Sequence, residues 1–249
     1  MTGTVHRPIR AVDCSKFWND ALKTPKTAPA ITPGEAEEIS TPLTKTGRKD
    51  GRHLRGQASV QRIIDTTIRL IAEEGISGVT MQRIAREIGS SNALVVFHFG
   101  SKEKLFRAVL EYLNDQFDSL WQKTVWKPGL SAAERVVASI DCARHFRIQH
   151  PDWVTVWVLF GGDRQTTQLD RVISLPSDQA YLAQSRAFLT EVALEGGYEG
   201  VDIDTLAEGL NYLVHGAWYW DTFNPDTVRS DALHATALAL LRQAFPKSF

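Results

Sequence analysis

The chain has 249 residues, 43% of them hydrophobic and 23% charged, and a net charge of −1, which allows a small domain joined to a larger one. Its two cysteines, Cys14 and Cys142, lie far apart, so neither a disulfide framework nor a zinc pattern is expected and a reducing cytoplasm is the expected setting. No apolar run approaches the ~18 residues of a membrane span, and the polar start with Pro8, Pro25 and Pro29 does not read as a signal peptide, so no membrane partner is expected.

Charge is unevenly spread. Residues 1–56 hold ten Lys and Arg against six Asp and Glu, residues 57–110 seven against five, and residues 111–249 eleven against eighteen. A basic front and an acidic back suit a nucleic-acid end and a sensing or dimerising end. Residues 1–56 mix Pro, Thr, Gly, Lys and Glu with no apolar period longer than a turn, which predicts a mostly disordered extension. Phe17, Trp18, Ala21 and Leu22 form a short amphipathic piece within it. The arm 45–55 carries five basic residues against one acid and reads either as a tracker of phosphates or a minor groove, or as a solvated linker.

From Ser59 the pattern turns helical. Val60, Ile63, Ile64, Thr67, Ile68 and Ile71 recur at helical spacing, and Gly75 closes the segment. Thr80 caps a second, two-turn helix with Met81, Ile84, Ala85 and Ile88 on one face and Gly89 as its stop. Ser90-Ser91 caps a third over 92–99. Gly100-Ser101 breaks before a long helix carrying Leu105, Val109, Tyr112, Leu113 and Phe117. Further helices are predicted near 131–149, 151–161, 165–173, 177–195, 202–222 and 228–244. With no period-2 run or hairpin signal, the chain reads as all-α.

Two short helices joined by a Gly-containing turn match the size of a helix-turn-helix. The run Thr80-x-x-x-Ile84-Ala85-x-x-Ile88-Gly89-Ser90-Ser91, continued by Phe97-His98-Phe99-x-Ser101-Lys102-Glu103-x-Leu105, resembles the DNA-binding domain of the TetR family. The resemblance implies an N-terminal three-helix helix-turn-helix domain at 57–104, a C-terminal helical ligand-binding and dimerisation domain at 105–249, a homodimer, and release of operator DNA on binding a small-molecule effector. By position it implies DNA contacts from Thr80, Gln82, Ser91, Asn92, Ala93 and Val95, and phosphate contacts from His98 and Lys102. Asn and Gln can pair with adenine, and Ala and Val can pack on thymine methyls. Ile84, Ala85, Leu94, Phe97 and Phe99 read as core. Val96 departs from the Tyr that many members carry there.

The back half is similar to the BetI-like, choline-responsive betaine-repressor subgroup at Trp157-Val-Leu-Phe160 and at Gly209-Leu, Gly216-Ala-Trp218-Tyr219 and Phe245-Pro246. It departs from it at Gly161, where that pattern has a second Trp, and at Trp220, where it has an Arg. Six of the seven Trp residues follow residue 110. Trp121, Trp153, Trp157, Phe160, Trp218 and Tyr219 are therefore the candidate ligand-binding residues, since aromatic faces attract quaternary ammonium groups such as choline. The other reading of Trp153, Trp157 and Phe160 is an ordinary core stripe. The resemblance assigns dimerisation to 177–195 and 202–222, where Leu206, Leu210, Leu213, Val214 and Ala217 also suit an intrachain core.

Two other readings stand beside this one. A regulator of efflux or of another catabolic pathway would keep the fold and change the ligand. A metal-dependent enzyme would use Cys142, His145 and His150, but a fourth ligand, a Gly-rich phosphate loop and a nucleophile elbow are missing from the sequence, so no catalytic residue, metal or cofactor is expected.

Overall fold

The computed structural model describes residues 46–249, with side chains from Gly56 onward. The readings of residues 1–45 and of the basic arm's side chains lie outside the described residues. Among the described residues every regular element is helical.

The first helix, α1 (Thr46–Gly78), starts ahead of the expected cap at Ser59. The extension is thus corrected from residue 46 onward. Once the apolar stripe from Val60 has nucleated the helix, adding Arg, Lys, Gln and Ala turns in front of it costs little. Gly75 breaks it with φ 75° and ψ 171°, a region open essentially to glycine alone. The helices α2 (Met81–Glu87) and α3 (Asn92–Phe99) follow, capped by Thr80, whose hydroxyl accepts from Arg83 N at 3.0 Å, and by Ser91, which accepts from Leu94 N at 3.3 Å. Ser101 caps α4 (Lys102–Thr124) in the same way.

A capping box of Ser131 and Glu134 opens α5 (Ala132–Gln149), and Pro151 in the first turn opens α6 (Pro151–Gly162). The short α7 (Thr167–Ile173) leads through Ser174 into α8 (Leu175–Gly196), which ends at Gly197 with φ 63°. Asp202 caps α9 (Ile203–Phe223), and a 3-10 turn at Pro225–Thr227 precedes α10 (Ala232–Ala244).

Two cores result. Ile63, Ile71, Ile84, Val95 and Val109 centre the first, and Phe117, Phe146, Phe188, Leu189 and Trp218 belong to the second. The division runs across α4, whose Leu105 to Leu113 pack in the first core and whose Phe117 to Trp121 pack in the second, rather than at residue 104. Helix α6 is also shared. Val156 and Phe160 enter the first core, Phe160 against Phe106 with centroids 5.1 Å apart, while Trp153 and Trp157 pack against both.

Candidate functional site

The helix-turn-helix is held by short-range devices. Arg62 donates to the Ile88 carbonyl at 3.0 Å, fixing the end of α2 on α1. Arg69 pairs with Glu73 and Glu87, and Arg83 with Glu74 and Glu87, so these cations are spent within the domain. Gly89 turns the chain with φ 64° into α3. Gln82, Ser91, Asn92 and Ala93 are exposed, as is Thr80 beside its capping bond.

Helix α3 corrects the expected register. Val95 is 0% exposed and packs in the first core, so it is removed from the candidate contacts, whereas Phe97, read as core, is 81% exposed. An eight-residue helix so rich in apolar side chains carries no directional period of its own, and packing against α2 and α4 selects Val95 as its anchor. His98 is half-buried between the rings of Phe97 and Phe99. Lys102 donates to the Ile76 carbonyl at 3.2 Å and sits 5.0 Å over the Phe106 ring, and burial lowers its ammonium pKa.

Behind this domain lies a cavity of about 450 Å³ bounded by α4, α5, α6, α7, α8 and α9. That size is typical of pockets enclosing drug-sized ligands, about 300–1,000 Å³. Its middle is an aromatic box built around Phe117, whose ring centroid lies 5.2 Å from Tyr181, 5.9 Å from Trp218, 6.0 Å from Trp157 and 6.2 Å from Trp121. Trp157 and Trp218 stack at 5.6 Å, nearly parallel.

Of the expected ligand residues, the structure brings Trp121, Trp157, Trp218 and Tyr219 to this cavity, Tyr219 on its exposed rim. Trp153 and Phe160 do not line it. Trp153 stacks on His150 at 4.0 Å and meets Tyr112, while Phe160 belongs to the first core. The 153/157/160 stripe is thus split by α6, which turns Val156 and Phe160 toward the DNA-binding helices and Trp157 and Gly161 toward the cavity. Trp126 is held outside by its bond to Gln184 at 2.7 Å and the Arg135 guanidinium 4.8 Å over its ring.

Sequence reasoning missed the cavity's two carboxylates, Asp170 and Asp178. Burial raises the pKa of both, and Asp178 is pushed up to about 6, against the attraction of His215 across the cavity. No ion pair to a Lys or Arg is formed by either among the described residues. A side chain added at Gly161 would meet Asp170 Oδ2 at 3.4 Å, so glycine leaves room there for the acid. The Trp157 indole N–H is buried without a partner, and the buried Ser174 hydroxyl lacks a well-formed hydrogen bond, though it is near enough to Asp170 to temper that carboxyl's rise. Aromatic faces, paired acids and free donors together suit a cation that also carries an oxygen.

The metal reading fails on geometry. Cys142 is fully buried, with its thiol pushed up to about 12 by burial, His145 is bonded to the Asp141 carbonyl at 2.8 Å, and His150 stacks on Trp153. Among the described residues no three His, Cys, Asp or Glu side chains are grouped to hold a metal, and no helix is long and apolar enough to cross a membrane.

Residues 63–109 match the sequence profile of the bacterial regulatory proteins of the tetR family. The HTH-type transcriptional regulator BetI of Rhizobium meliloti is 30% identical over 169 residues, covering 66% of this chain and 78% of that protein. The chain belongs to the TetR family. This TetR-family regulator is BetI-like, and its helix-turn-helix is the one read from Thr80 to Leu105. Two solved structures share the fold. A transcriptional regulator from Saccharomonospora viridis in complex with choline superposes with a TM-score of 0.66 at 20% identity, over 75% of this chain and 96% of the other. FadR from Bacillus subtilis in complex with stearoyl-CoA gives 0.59 at 19% identity, over 75% and 98%.

Proposed function

We propose that this TetR-family chain is a repressor that binds pseudo-palindromic operator DNA as a homodimer and leaves it when a quaternary ammonium effector such as choline fills the cavity. The observation that carries the ligand class is the placement of Asp170 and Asp178, neither paired with a Lys or Arg among the described residues, beside the box of Phe117, Trp157, Tyr181 and Trp218. Cation–π contact contributes about 0.5–2 kcal/mol per face. The choline complex of the Saccharomonospora viridis neighbour is consistent with it.

A partner subunit fits the exposed face of α8 and α9. Leu194, Tyr212, Tyr219 and Phe223 are exposed there, and exposed Gly216 lets a second helix approach closely. In the dimer, each α3 would enter one major groove, with half-sites about one helical turn apart. Because α6 touches both cores, a ligand that repositions Trp157 and Gly161 also moves Val156 and Phe160 under the DNA-binding helices.

The reading is tested by anisotropy of a labelled fragment from upstream of the gene, at two salt concentrations, with and without choline. Salt-sensitive binding beyond a scrambled control, released by choline, is the expected result. Binding indifferent to choline removes the effector, and a monomer at micromolar concentration removes the dimer. Phe97→Ala is expected to leave stability within about 0.5 kcal/mol, since the ring packs on little. It is also expected to weaken operator binding about tenfold, the loss of one groove contact. Unchanged affinity would place that ring off the DNA.

A further inference from the structure

The cavity is divided by polarity along its length, and the contacts of α8 give the direction. Arg186 reaches Asp204 and Glu208, and Asp178 feels His215, so α8 and α9 run antiparallel with their earlier and later residues opposed. Asn114, which donates to the Ile173 carbonyl at 3.1 Å, and Gly161 beside Asp170 therefore share one end with Ser174 and Asp178. The aromatic box occupies the middle. The far end is walled by buried apolar Val136, Ile140, Leu189, Ala207 and Leu210, with the Ser139 hydroxyl among them spent on the Val136 carbonyl at 2.7 Å. Asp178 and Leu189 both line the cavity on one helix, and the intervening rise of 1.5 Å per residue spans roughly 16 Å.

A choline-sized cation at the acidic end leaves that apolar end without a partner. We infer that the effector is an amphipathic cation longer than choline, with its ammonium head between Asp170, Asp178 and the aromatic box and an uncharged alkyl or aryl tail along Ile140, Leu189 and Leu210. This rests on the reading of the cavity as a cation site, and it adds a tail slot to that site.

The experiment titrates the whole 249-residue chain with n-alkyltrimethylammonium ions of increasing chain length, followed by tryptophan fluorescence and calorimetry below their micellar concentrations. Matched n-alkanols serve as neutral probes. Each added methylene should tighten binding about fourfold, the factor equivalent to ~0.8 kcal/mol per buried methylene, until the slot is full. Affinity should then level off. Alkanols should bind at least about tenfold more weakly than the cation of the same chain length, having no charge for the carboxylates. Asp178→Asn should weaken every cation by one common factor and leave the chain-length slope intact. Affinity that does not change with chain length overturns the tail slot and leaves the cation site standing. A rise that never levels off means partition onto apolar surface and also overturns it. Alkanols binding as tightly as the cations would instead overturn the cation reading beneath the proposal.

Discussion

Arg147→Met is expected to lower the unfolding free energy by about 3–5 kcal/mol, the cost typical of stripping one partner from a buried ion pair. Arg147 on α5 pairs with Asp221 on α9, and both side chains are almost wholly enclosed. Burial already lowers the guanidinium's pKa, and its Nε and Nη2 have no partner, so the pair is costly to keep and costlier to break. Removing Arg147 leaves a carboxylate without its cation, and Asp221→Leu leaves the cation without its carboxylate. The double variant Arg147→Met/Asp221→Leu should recover most of either loss, because an apolar pair of similar volume is often as stable as a buried ionic one. Urea unfolding at one fixed protomer concentration measures all three, since the proposed dimer would add to the apparent stability. Single variants costing less than about 1 kcal/mol would mean that water reaches the pair. Because α9 carries one wall of the cavity and the face proposed for the dimer, the destabilised variants should lose effector response before they lose helix content.

The reach of the sequence followed the range of the interactions concerned. Capping by Thr80 and Ser91, the breaks at Gly75 and Gly100-Ser101 and the turn at Gly89 are settled within a few residues, and each was readable for that reason. Position in the family resemblance puts Val95 on the DNA and Phe97 in the core, and the packing of α3 on α2 and α4 reverses the two. The aromatic richness behind residue 110 was legible, but its sorting was not. Trp153, Trp157 and Phe160 look like one stripe in a string of letters, and become two faces only when α6 is wedged between two cores. Asp170 and Asp178 had no signal at all. Single acids on amphipathic helices normally face water, and here the packing of α7 on α4 and α6, and of α8 on α5 and α9, turns these two inward.

That inward placement gives the second large effect. Affinity for choline is expected to be flat above about pH 7 and to fall by up to tenfold per pH unit below about 6. Asp178 sits in the ligand-free cavity with its carboxyl raised to about 6, burial being the main cause. Only the carboxylate attracts a cation, so the bound state holds fewer protons than the free state and acid opposes binding. Asp170, raised in the same direction by burial, pushes the same way. For the ligand-free protein the sign is reversed. A folded carboxyl pKa above the ordinary 3.8 means that the native state takes up its proton first, so Asp178 opposes folding at neutral pH and stability rises as pH falls through about 6. Asp178→Asn should therefore bind choline roughly ten- to a hundredfold more weakly at pH 7.5, as loss of a charge-assisted contact implies. It should flatten most of the pH slope and unfold at higher denaturant than the parent in the absence of ligand. Calorimetric titration at several pH values, paired with unfolding of both proteins, checks the two signs together. If the variant binds choline as the parent does while still gaining stability, the buried acid is real but the ammonium head lies nearer Asp170, and Asp170→Asn becomes the variant that must lose affinity.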